Sequence, residues 1–169
     1  MRLSIREISR AIQSLVVVTL CVASNAAIAQ TWDIFVLEQL RCEQDPSPGP
    51  IIQSLSEAGA IDVSANLGYD STSCFRIKGT VEIAGLKVNS VCGFEEDSEQ
   101  RARYPDIFYR GPGTSPGQFI SFGTSANDDV VAQWYFDNIG TRHLNEAISS
   151  EWTNIGDRTE VACSSWFSG

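Results

Sequence analysis

The spacing of apolar residues changes period along the chain, and those changes mark out its elements. In TWDIFVLEQLR, Ile34, Leu37 and Leu40 or Arg41 share a helical stripe, with Thr31 as N-cap and Asp33 in the first turn. A helix is expected there. EQDPSPGP ends it, and Pro50 is placed to start a second helix, IIQSLSEA, whose apolar face is Ile51, Ile52, Leu55 and Ala58 and whose stop is Gly59. From Cys74 the period drops to two: Phe75, Ile77, Val81 and Ile83 alternate with Arg76, Lys78, Thr80 and Glu82. Leu86, Val88 and Cys92 continue the alternation beyond Ala84-Gly85, so a β-hairpin is expected.

In EEDSEQRAR, Asp97 with Arg101 and Glu99 with Arg103 are acid-then-base pairs four apart, which support a short exposed helix. The run lacks the alternating ligands and central glycine of a calcium loop. Next come DIFYR and QFISFGT, read as strands on either side of RGPGTSPG. SANDDVVAQWYFDNIG reads as a helix capped by Asn127 or Asp128 and stopped by Gly140, HLNEAISSEWTNIG as another ending at Gly156, and TEVACSSWF as a terminal strand. The expected fold is α+β: an antiparallel sheet of four to five strands with helices packed on one face, braced by two disulfides.

RGPGTSPG is the most motif-like stretch. A phosphate-binding loop presents successive backbone N–H groups at a helix N-terminus, usually with a lysine. Pro112 and Pro116 have no N–H, no Lys-Ser or Lys-Thr follows, and the next segment alternates like a strand. The loop reads as a turn, with Arg110, Thr114 and Ser115 as candidate recognition donors. Trp134, Tyr135 and Phe136 are consecutive and fan around roughly 200° of a helix. Two would be buried and one half-exposed in an ordinary core; in a binding protein, Trp134 and Tyr135 would supply an aromatic contact surface.

Composition adds an address. Arg2, Arg6 and Arg10, the run AIQSLVVVTLCVA and Ala27-Ile28-Ala29 form the charged, apolar and A-x-A parts of a secretory signal peptide. Residues 1–29 are expected to be cleaved, and 30–169 to form one compact domain in the periplasm or outside the cell. A lipoprotein reading through Cys21 is disfavoured because Leu20 precedes it. The whole chain carries 12 basic and 21 acidic side chains, net −9; without Arg2, Arg6, Arg10 and Glu7 this becomes 9 and 20, net −11. Such a surface repels phosphate backbones and anionic headgroups, so neither nucleic-acid binding nor stable membrane association is expected.

Cys42, Cys74, Cys92 and Cys163 remain, without a CxxC pair, so two disulfides are expected and no metal site. If Ile83 faces Leu86, Ile77 faces Cys92 and Cys74 lies on the opposite face, which disfavours Cys74 with Cys92. Cys42–Cys74 with Cys92–Cys163 is preferred, and Cys42–Cys92 with Cys74–Cys163 stays open. His143 is the only histidine and no G-x-S-x-G is present, so no hydrolytic triad is visible and no cofactor is implied. The expected function is an exported interaction module that binds an envelope protein or small ligand. The alternatives are a small secreted hydrolase with a carboxylate pair and a structural envelope component.

Overall fold

The computed structural model describes residues 32–68, 71–108, 117–151 and 153–167. The expected signal segment, and the loop bearing Arg110, Thr114 and Ser115, lie outside the described residues. By its contacts the chain divides into units 1–35 and 36–169, and the second holds every strand. A first helix, α1, occupies 32–40.

Strands β1 (Ser73–Ile83) and β2 (Leu86–Glu95) form the expected hairpin. Its two-residue turn has Ala84 at φ 45° and Gly85 at φ 82°, the doubly left-handed turn that matches strand twist. The register does not run unbroken. Ile83 faces Leu86 and Val81 faces Val88, but Arg76 then faces Ser90, so residues 77–80 lie opposite Asn89 alone. Gly79, at φ 77°, supplies the left-handed residue inside this bulge. Three extra residues is an odd number, and an odd slip exchanges the faces of a strand. Cys74 is thereby brought opposite Cys92, with the Cα atoms 4.1 Å apart, and the two are disulfide-bonded. Cys42 bonds to Cys163 across 121 residues, with a Cα separation of 5.6 Å. Both pairings considered from the sequence are corrected, because the face argument assumed a hairpin without a bulge.

Strand β3 (Gln118–Thr124) lies beside β2, and β5 (Thr159–Ser164) beside β3. A two-residue strand, β4 (Ile148–Ser149), closes the far edge, giving the antiparallel order β1-β2-β3-β5-β4. The register lines up Phe75, Val91, Phe122 and Val161 in one row, all fully buried, with Ile120 and Cys163 in the adjoining row. Helix α2 (Pro48–Glu57) packs on this face through Ile51, Ile52 and Leu55. Gly93 makes that approach possible: a Cβ there would lie 2.7 Å from Ile52 Cδ1 and 2.9 Å from Pro48 Cβ. The helix begins at Pro48 rather than Pro50, because Pro48 is drawn onto Gly93 and the ring of Tyr104 seats on Gly49.

Helix α3 (Ser98–Arg103) forms with Glu99 and Arg103 paired at 2.7 Å. Asp97 serves as its N-cap, accepting from the Gln100 N–H at 2.8 Å. Residues 104–108 follow as turns with Ile107 and Phe108 buried, which corrects the strand expected over DIFYR. Helix α4 (Asp128–Asn138) has Asn127 as its cap. The expected helix from His143 to Gly156 shrinks to α5 (Leu144–Ala147), after which the chain turns extended as β4. The cause is tertiary: β4 satisfies the outer edge of β5, pairing Ile148 with Val161 and Ser149 with Glu160, and a continued helix would leave that edge bare.

Candidate functional site

The opposite face of the same sheet mixes polar side chains with cysteines and aromatics. Its rows are Arg76, Ser90, Gly123 and Glu160; then Cys74, Cys92, Ser121 and Ala162; then Phe94, Phe119 and Ser164. Ser90, Ser121 and Glu160 are buried, because the chain between β4 and β5 folds back over them. Asp157, on that segment, accepts from the Ser90 hydroxyl and pairs with Arg76 at 2.7 Å. Gly123 leaves the space it needs, since a Cβ there would meet Asp157 Oδ2 at 2.1 Å. The Arg76 guanidinium also donates to the Ile155 carbonyl at 2.5 Å, clamping the returning segment to the sheet.

Glu160 is the unusual member of this layer. Its carboxylate accepts from Ser121 Oγ at 2.5 Å, from Asn154 Nδ2 at 2.9 and 3.0 Å, and from the Asn154 N–H at 3.1 Å. Among the described residues no basic side chain forms an ion pair with it. Hydrogen bonds from neutral groups alone offset the cost of withdrawing this charge from water. The arrangement also fixes Asn154. An ionised carboxylate only accepts, so the amide must turn its nitrogen to Glu160, which leaves Oδ1 as the atom offered elsewhere.

Asn154 also lines a cleft of ≈190 Å³ at the end of this face, with Phe94, Phe119, Thr72, Ser164, Gln118 and Trp166. Phe94 and Phe119 are cross-strand partners that stand beside Ser164. Trp166 is 65% exposed and sits in a turn held by its own N–H to Ser164 Oγ, at 3.3 Å, and by Phe167 N–H to the Ser164 carbonyl, at 2.9 Å. Ser165 is tied to Gln118 in both directions, through its N–H at 2.9 Å and its hydroxyl at 3.0 Å. Among the described residues no charged side chain lines the cleft. Its lining presents aromatic surface, the hydroxyls of Thr72 and Ser164 and the amides of Gln118 and Asn154.

Glu95 lies across the sheet from this cleft, in register with Gln118. Burial pushes its carboxyl above the usual glutamate range, opposed in part by the Asp97 N–H and the Gln118 side chain.

The residues singled out from the sequence are distributed differently. Trp134 and Tyr135 are core groups: Trp134 Nε1 donates to the carbonyls of Ile83 and Ala84 at 3.0 and 3.1 Å, and the Tyr135 hydroxyl bonds to those of Leu40 and Arg142 at 3.3 and 3.0 Å. Desolvation raises the Tyr135 phenol above its ordinary range. The aromatic surface expected from these two is therefore corrected, because each faces inward to close a backbone gap; Phe136, at 54%, is the exposed one. Neither touches the cleft. The loop with Arg110, Thr114 and Ser115 leads directly into Gln118 at the cleft margin. Trp166, Phe94, Phe119, Asn154 and Glu160 were not singled out, although Phe94 shares its strand parity with Cys92 and TEVACSSWF displays Trp166 openly. Among the described residues, no three of His, Cys, Asp and Glu gather to hold a metal ion. No protein-family model, curated protein or solved structure matches the chain.

Proposed function

We propose that the protein is an exported binding module, periplasmic or secreted, whose recognition site is the Trp166 cleft. The observation that carries this reading is the cleft itself: an exposed tryptophan beside two phenylalanines, with an amide acceptor held in place by a buried carboxylate. Large exposed aromatics on a rigid scaffold are the usual anchors of recognition. Two disulfides support the assignment to an oxidising compartment. Among the described residues no helix is long and apolar enough to cross a membrane. The cleft is smaller than the about 300–1,000 Å³ that drug-sized ligands occupy, so it suits a small molecule or one projecting group of an envelope protein.

The test is a panel of hexoses, amino acids, quaternary ammonium compounds and short peptides, added to the disulfide-intact protein and followed by the Trp166 indole N–H resonance, assigned by its loss in Trp166→Phe. Saturable shifts at Trp166 are expected for at least one class, and Trp166→Ala should abolish them while changing stability by less than about 0.5 kcal/mol. A panel that leaves Trp166 unmoved counts against the cleft as a binding site.

A further inference from the structure

Building on the cleft as a binding site, we infer that its ligand is a small methylated ammonium cation bearing a hydrogen-bond donor. The argument starts from charge. Arg76 is matched by Asp157 at 2.7 Å, whereas Glu160 is buried with neutral partners only. This leaves the layer under the cleft with one uncompensated negative charge. Glu160 is separated from the cleft by the single amide of Asn154, which touches both. Among the described residues no lysine or arginine lines the opening, and the chain as a whole is net −9. An anion is repelled at every level of this description, and a neutral ligand gains nothing from the field.

The lining decides which kind of cation fits. A primary ammonium brings three N–H donors and a tightly held hydration shell, and it needs several acceptors to leave water. Among the described residues the cleft has no carboxylate in its wall. Its polar groups are the amides of Asn154 and Gln118 and the hydroxyls of Thr72 and Ser164, and Ser164 Oγ already accepts from the Trp166 N–H. Three aromatic side chains, Phe94, Phe119 and Trp166, make up the rest of its character. Aromatic faces attract a cation that is weakly hydrated and has no hydrogen bonds to satisfy, which describes a methylated ammonium. The neutral amide and hydroxyl oxygens then suit one hydroxyl or N–H elsewhere on the ligand. Glu160 acts here as a positioning residue: it turns Asn154 and contributes negative potential without touching the ligand.

Choline and 3,3-dimethyl-1-butanol make a direct comparison, because they share shape and hydroxyl and differ in the charged nitrogen. Each is titrated into the disulfide-intact protein while the Trp166 indole resonance is followed. Choline is expected to bind at least tenfold more tightly than the alcohol, and Trp166→Ala to remove both responses. Glu160→Gln should weaken choline several-fold more than the alcohol, because both lose the orientation of Asn154 but only choline loses the negative charge, a split that a purely structural role would not produce. If Glu160→Gln fails to fold, the ratio of the two ligands in the native protein decides alone. Equal affinities would overturn the cationic ligand and leave the cleft a binding site. Silence at Trp166 toward both probes and toward the broader panel would overturn the binding reading itself.

Discussion

The two faces of the sheet are buried by different means. On the helix face, Phe75, Val91, Phe122 and Val161 are fully buried and α2 packs against the same face, so close packing of apolar side chains supplies the stability. On the polar face, Ser90 bonds to Asp157 and Glu160 bonds to Ser121 and Asn154, so directed hydrogen bonds join the sheet to the returning segment that carries Asn154 and Asp157. Apolar packing tolerates small adjustments of shape; a hydrogen-bonded layer holds each donor and acceptor in one orientation. The first face secures the fold, and the second fixes the amide of Asn154, a residue that lines the cleft.

Ser121 and Phe122 are neighbours in β3 that point to opposite faces, which makes them the sharpest test of this contrast. Phe122→Ala should have the larger effect, about 3–5 kcal/mol by urea unfolding, because it opens a cavity in a fully buried row. Ser121→Ala should cost less, about 1–3 kcal/mol, since it deprives the Glu160 carboxylate of one donor. The smaller change should nonetheless be the one that disturbs the Asn154 and Trp166 resonances. Equal spectral disturbance from both substitutions would break the distinction between the faces.

A subtler effect is expected at Glu95. Its carboxyl is raised in the folded protein, so the native state holds that proton more tightly than the unfolded chain. The associated stability is fully present below the ordinary glutamate value of 4.5 and is lost as pH rises through the raised folded value. Glu95→Gln should flatten that part of the stability profile, as followed by urea midpoints across the acidic range. An unchanged slope would mean that Glu95 is not the group responsible.

Apolar spacing made β2, β3, β5, α2 and α4 legible in the sequence: the helices bury one stripe and β2 alternates as far as Ser90, although β3, β5 and the rest of β2 are buried on both faces. The disulfides were misread for one local reason. Lys78-Gly79-Thr80 interrupts an alternating strand, and a glycine in such a place signals a bulge, but its size cannot be counted before the partner strand is seen. The span 143–156 was misread because helical spacing gives no notice of an unpaired sheet edge. The site was hidden more deeply. Glu160 and Asn154 are ordinary polar residues in the sequence, and only the folding back of one segment makes them a buried pair beside Trp166. Trp134 and Tyr135 attracted notice through adjacency, yet adjacent residues on a helix diverge, and these two point into the core.

The nested disulfides constrain how the molecule matures. Of the four bonded cysteines Cys42 is synthesised first, and the next two, Cys74 and Cys92, belong to each other; its own partner follows 121 residues later. Oxidation in order of emergence joins Cys42 to Cys74, a bond absent from the finished sheet. The bulge at 77–80 opposes this error by setting Cys74 against Cys92 as soon as the hairpin closes. A sequence irregularity of three residues thus directs the order of covalent assembly, and a chain cut short before Cys163 is expected to keep Cys42 as a free thiol, which alkylation mapping would read directly.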